Sequence, residues 1–145
     1  MTTANQARIL LLLDRQSRQK LLPGLVARWA EAGVAVSPLS HERHEALVAE
    51  LRRRGGERRA VAGALANIIA AFARPADMAV VIGWAMDSEP GLLVRSAALV
   101  RSEAFLRTVY PDGFFIIDQP ASHMLVVSFD EDMFEAKDVR LDRAG

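Results

Sequence analysis

Residues 8–38 read RILLLLDRQSRQKLLPGLVARWAEAGVAVSP, and how this stretch is parsed decides the N-terminal architecture. Ile9–Leu13 is an apolar run of five residues that Asp14 ends. It is short, carries no helical period, and reads as a buried strand. Leu22, Leu25, Val26 and Trp29 recur at helical spacing, and Gly33 stands where a helix-ending left-handed residue is wanted. Val34-Ala35-Val36 then resumes extended chain. A polar link from Asp14 to Lys20 and a helix starting near Pro23 leave enough residues for a parallel crossover, so the stretch predicts a βαβ unit. The competing parse is two helices over residues 4–32 broken at Pro23, since proline lacks an amide donor and its ring crowds the preceding turn.

Working outward, Ser40 caps a predicted helix over His41–Arg54, with Ala46, Leu47 and Leu51 on one face and Gly55-Gly56 interrupting it. A third helix is expected over residues 57–73. Val61, Leu65, Ile68, Ile69 and Phe72 line one side of it, and Ala62, Gly63, Ala66 and Ala70 make the other side small. From Met78 the period changes. Met78–Met86 reads as a strand with a bulge at Gly83, Asp87–Gly91 carries turn chemistry, and Leu92–Val94 returns as a hairpin partner. A helix from Ser96 to about Tyr110 ends at Pro111-Asp112-Gly113. Strands follow at Phe114–Asp118 and Met124–Phe129, with a last one near Phe134–Leu141. The predicted class is α/β in the broad sense and α+β in detail. An N-terminal βαβ plus helices joins a C-terminal, largely antiparallel ββαββ lobe in a single domain, residues 1–145.

With 51% hydrophobic and 25% charged residues over 145 positions, the composition is globular and sufficient for one core without staples. Cysteine is absent, which excludes disulfides and thiolate metal sites and fits a reducing compartment; a cytoplasmic address is expected. The run of five is too short for a signal-peptide core of about 7–15 apolar residues. Ala60–Ala73 spans 14 residues, which as helix would rise about 21 Å against a hydrocarbon layer of roughly 30 Å, so no membrane partner is expected. The net charge is zero, but residues 1–75 hold 12 Lys/Arg against 6 Asp/Glu, and residues 76–145 hold the reverse. That split predicts a basic, helical lobe and an acidic, strand-rich one. The acidic tail would steer a basic partner.

Motifs for chemistry are sparse. His41 and His44 are three residues apart, not the four that would place both zinc ligands of a metalloprotease on one helix face, so no metal is expected. His123, in the Gln119–His123 loop, reads as a turn residue before a general base. Ser88, Ser96 and Ser122 stand in no nucleophile motif, and no catalytic residues are assigned. The loop after Leu13 has cations and no glycine, which leaves neither a dinucleotide fingerprint nor a phosphate loop, and no cofactor is expected. Arg52, Arg53, Arg54, Arg58 and Arg59 lack interleaved aromatics, so they read as a solvated helix junction before a nucleic-acid contact. Aromatics concentrate instead beside the carboxylates. Trp84, Asp87, Glu89, Asp130, Glu131, Asp132, Phe134 and Glu135 are the candidate partner-binding residues: the acids for steering, Trp84 or Phe134 as anchors.

The segment from Gly83-Trp84 to Asp130-Glu131-Asp132, with Tyr110-Pro111-Asp112-Gly113-Phe114 in its middle, resembles small bacterial immunity proteins that neutralise a co-produced toxin, including those of contact-dependent inhibition systems. The resemblance covers the C-terminal third to half and rests on a strand–turn–helix–turn–strand rhythm. It implies a non-enzymatic inhibitor whose carboxylates stand in for the phosphates that a basic nuclease would hold. An alternative is a small-molecule-binding regulator or small enzyme with a pocket near Asp14, Arg15 and Ser17. A third reading is an adaptor or secretion chaperone that forms a homodimer through residues 60–73.

Overall fold

Leucine is among the strongest helix formers, and only Ile9 in the first apolar run is β-branched. Asp14–Lys20 supplies Arg, Gln and Lys, so from Ala4 to Leu22 good helix formers outweigh the small penalties of Asn5, Asp14 and Ser17, and neither Gly nor Pro interrupts. In the computed structural model, which describes residues 3–142, this segment is accordingly one helix, α1 (Thr3–Glu31), with Pro23 inside it. The expected βαβ unit is therefore replaced: Ile9–Leu13 is helical, and Asp14, Arg15 and Ser17 belong to a helix and not to a βα loop. An interior proline costs about 3 kcal/mol. The packing of Leu22, Leu25 and Val26 against the core and the complete burial of Trp29 offset it. Gly33, at φ 80°, closes the helix, and its amide donates to the Ala30 carbonyl.

Of the expected strand at Val34–Val36, only β1 (Ser37–Pro38) forms, slightly later in the chain. Ser40 then caps α2 (His41–Arg54), its side chain accepting from the Arg43 amide. The third predicted helix is shortened, because residues 55–60 form β2 (Gly55–Ala60) and only α3 (Leu65–Ala73) is helical. β3 (Met78–Gly83) and β4 (Gly91–Arg95) make the expected hairpin; Gly83 ends β3 in regular pairing with Phe114 and is not a bulge. The single helix expected after Ser96 is two, α4 (Ser96–Leu99) and α5 (Glu103–Val109). Ser102 sits at the break, with its hydroxyl donating to the Ala98 carbonyl. β5 (Gly113–Gln119), β6 (His123–Asp130) and β7 (Met133–Leu141) complete the chain.

All seven strands form one antiparallel sheet in the order β1-β4-β3-β5-β6-β7-β2. The α+β class and the antiparallel C-terminal half are as expected from the sequence. Both edge strands come from residues 1–75, so the basic and acidic halves share one sheet. Burial follows strand parity. Ala79, Val81, Phe114, Ile116, Leu125, Val127 and Ala136 face one side, under Trp29 and the buried residues of α3, α4 and α5. Val80, Ile82, Ile117, Met124 and Val139 face the other, against Leu47 and Leu51 of α2. Phe115 and Val126, further along that second face, are only half-buried. Among the described residues no helix is long and apolar enough to cross a membrane.

Candidate functional site

The second face of the sheet, where α2 leaves it open, holds the most developed concave surface near the predicted contact residues. Trp84 follows β3 directly, and its ring stacks on Phe115 of β5 at 5.2 Å between centroids and 7° between planes. It stays 42% exposed. The stack is possible because Gly113, at φ 131°, has no side chain: a Cβ there would lie 2.8 Å from Trp84 Cε3 and would run into the Val127 carbonyl. Leu10 and Asp14 of α1, Arg52 of α2, Arg58 of β2 and Met124 of β6 surround the pair and enclose a groove of about 850 Å³. Apolar aromatic floor and charged walls are the composition of a contact hot spot inside a polar rim.

The β6–β7 turn lies at the same end of the sheet. Gly83 pairs with Phe114, Gly113 with Ser128, and Asp130 with Met133, so the turn follows the groove's aromatic end by two residues along β6. Asp130, Glu131 and Asp132 are all exposed and form no ion pair among the described residues. Glu131 is held at φ 56°, the left-handed conformation a two-residue hairpin turn demands. Met133 beside them is 75% exposed.

The other predicted contact residues divide. Glu135 shares the open face with Phe115 by strand parity and lies 3.1 Å from Lys137. Phe134 is on the opposite face, half-buried beneath the Arg107 guanidinium, which also covers Phe129. Asp87 lines the groove but is bidentate with Arg52, at 3.2 and 2.6 Å. That bond is the main reason the Arg52 pKa is raised. The Glu89 carboxylate turns inward, accepting from the Ala85 amide and occupying the space beside Gly83. Trp84, Glu135 and the turn thus gather at one end of the open face, while Phe134 and Glu89 are structural.

A second polar centre, absent from the sequence reading, ties α1 to α2. Arg18, only 5% exposed, donates to Glu45 at 2.8 Å and to the Asp87 carbonyl at 2.5 Å, and lies 3.2 Å from His41 Nδ1. Arg15 makes a two-point bond to the same Glu45 at 2.7 and 2.6 Å. These guanidinium bonds, Arg15's foremost, hold the Glu45 carboxyl down at about 2. His44 is fully buried; burial lowers its pKa, and its Nε2 donates to the Met86 carbonyl at 2.8 Å. A cavity of about 410 Å³ lies beside this centre, lined by Arg18, Leu22, Leu39, His41, His44 and Pro90 among others. The signal for Arg18 was its place on the stripe of Arg15, Leu22 and Trp29, visible once the segment is read as one helix.

At the far end of the sheet, Asp118, Ser122 and His123 sit together. The Ser122 hydroxyl donates to Asp118 at 2.6 Å and lies 3.1 Å from His123 Nδ1, and the backbone amides of Ser122 and His123 also donate to Asp118. The hydroxyl proton is directed to a carboxylate that fastens the turn, whereas an activated serine hands it to a base. Among the described residues no three His, Asp or Glu side chains are grouped to hold a metal ion. On α3, the residues expected to carry a homodimer divide as well: Leu65, Ile68, Ile69, Ala70 and Ala73 enter the chain's own core, and Ala66 faces outward. Comparison with protein-family models, curated proteins and solved structures gives no match.

Proposed function

We propose that this chain is a non-catalytic, protein-binding inhibitor of the immunity-protein kind, acting in the cytoplasm on a basic partner. The observation that carries the reading is the turn Asp130-Glu131-Asp132, three exposed carboxylates without an ion-pair partner among the described residues, next to a groove floored by Trp84 and Phe115. Unpaired surface carboxylates raise the local concentration of a cationic surface and orient it, and a half-exposed tryptophan on a rigid sheet then supplies desolvated contact area. A basic nuclease toxin presents the Lys/Arg-lined groove that such a surface would occupy in place of substrate phosphates.

The test begins with isolation of the partner from host lysate at low salt, followed by stopped-flow association with the purified protein. Replacing Asp130, Glu131 and Asp132 with Lys is expected to slow association at least about tenfold at low salt and to flatten its salt dependence. Trp84→Ala is expected to raise the dissociation rate instead, by about 2 kcal/mol or more in affinity. Equal association rates for the charge-reversed and parent chains would remove the proposal.

The second reading, a small-molecule binder, is favoured by the cavity beside Arg18 and His44. The two separate cleanly: reversing the turn leaves a ligand in that cavity unaffected, and Arg18→Met abolishes its binding while leaving the partner's association rate in place.

A further inference from the structure

The cavity of about 410 Å³ beside α1 and α2 is lined by two buried polar side chains with different needs. Arg18 is the first, a buried guanidinium. It shares the Glu45 carboxylate with Arg15 and takes only the carbonyl of Asp87, whose carboxylate is bound to Arg52, so two guanidinium groups face one carboxylate and one positive charge is left over. Its Nη2 lies 3.2 Å from His41 Nδ1. A guanidinium only donates, so that nitrogen accepts, and the neutral ring carries its proton on Nε2. Ser40 and His41 bring the positive end of the α2 dipole to the same wall, and Glu42 and Arg43, next along the turn, are both exposed and opposite in charge. This side of the cavity suits an anion. His44 is the second side chain. Its Nε2 donates to the Met86 carbonyl, so Nδ1 is a lone-pair acceptor, and it is buried without a partner. It faces Gly91, where a Cβ would lie 2.9 Å away, and both residues line the cavity. The bare acceptor asks for a donor from outside the chain. Leu22, Pro38, Leu39 and Pro90 make the remaining walls apolar.

We infer that this cavity binds a small hydroxycarboxylate with an apolar body, its carboxylate held by Arg18 and His41 and its hydroxyl donating to His44 Nδ1. The inference rests on the second reading above, that the cavity holds a small molecule, and gives that molecule its chemistry. A plain aryl or aliphatic acid answers Arg18 and leaves Nδ1 orphaned. A neutral alcohol or amide leaves the surplus positive charge unanswered, and a cation meets Arg15 and Arg18 with the wrong sign. The volume lies toward the lower end of ligand pockets, roughly 300–1,000 Å³, which fits one ring or a short branched chain beside the two polar groups.

The test is an NMR titration of the isotope-labelled full chain with mandelate and 4-hydroxyphenylacetate, whose hydroxyls lie near to and far from the carboxylate. Phenylacetate, which lacks the hydroxyl, and the two matching amides, which lack the charge, are the controls. At least one hydroxy acid is expected to move the resonances of Arg18, His44 and Gly91 and to bind at least about tenfold more tightly than phenylacetate and its own amide. Arg18→Met is expected to abolish that binding, and Gly91→Ala, whose methyl crowds Nδ1, to bring it down to the phenylacetate level. Acids and amides that bind equally well within the cavity would overturn the ligand class and leave the second reading standing. No movement of these resonances with any of the five probes would count against both. Should either variant unfold, the comparison of probes on the parent chain decides by itself.

Discussion

His44 and Glu45 are adjacent in sequence and titrate with opposite consequences. Burial holds the folded His44 below its ordinary 6.5, so the unfolded chain binds this proton more tightly than the folded one. Its contribution is therefore complete above pH 6.5 and declines as the pH falls below that value. Glu45 is lowered from 4.5 to about 2 by Arg15 and Arg18, so its contribution is complete above 4.5 and is lost as the pH falls from there toward 2. Urea unfolding across the acid range is expected to show two successive losses. His44→Gln, which keeps a donor toward Met86, should flatten the first while leaving the second. Glu45→Gln should flatten the second and, by leaving the buried Arg18 without its carboxylate, lower stability at neutral pH by about 2–3 kcal/mol. An unchanged neutral-pH midpoint in Glu45→Gln would show that the Asp87 carbonyl and His41 suffice to hold Arg18.

At the scale of elements, α1 and the β6–β7 turn each contain a residue that its conformation disfavours. Pro23 is exposed within α1, so Pro23→Ala removes an interior helix penalty without opening a cavity, and should raise stability by about 1–2 kcal/mol in thermal unfolding once the freer unfolded chain is allowed for. Glu131 occupies a left-handed position that costs an L-residue roughly 1–2 kcal/mol, and Glu131→Gly should raise the melting temperature by a few degrees while removing one charge from the turn. These two sites also separate what sequence could reveal from what it could not. β3 to β7 were legible because Val, Ile and Phe alternate between two buried faces and Asp87–Gly91 and Pro111–Gly113 mark the reversals. Four consecutive leucines carry no period, so Ile9–Leu13 fits a strand as well as a helix, and a proline downstream favours the wrong parse. Gly55-Gly56-Glu57-Arg58-Arg59-Ala60 has little intrinsic strand preference and is extended only because β7 offers a ladder from Lys137 to Leu141.

For the whole molecule, the charge split between chain halves becomes a different spatial pattern. β2 of the basic half lies against β7 of the acidic half and Arg52 is fastened to Asp87, but the other ion pairs among the described residues join partners within one half. The turn at 130–132, in the two-residue connection at the end of β6 and β7, takes part in none of these pairs among the described residues. Trp84 and this turn were therefore legible as an exposed aromatic near exposed carboxylates, and Phe134 was not separable from them until strand parity placed it under Arg107. The Arg18–Glu45 centre was illegible for another reason: its members are 27 residues apart and meet only because α1 is a single rigid helix. This arrangement fixes what charge reversal does to the fold. Lysine at 130, 131 and 132 moves the net charge from zero to plus six, yet breaks no ion pair among the described residues, so stability should change by no more than about 0.5 kcal/mol. Asp87→Lys, a single reversal, sets a cation against Arg52 at the groove wall and should lower stability by more than the triple change. Thermal melts of the two variants side by side check the ordering, and a triple variant that melts below Asp87→Lys would mean that the turn's carboxylates are engaged within the molecule and not free for a partner.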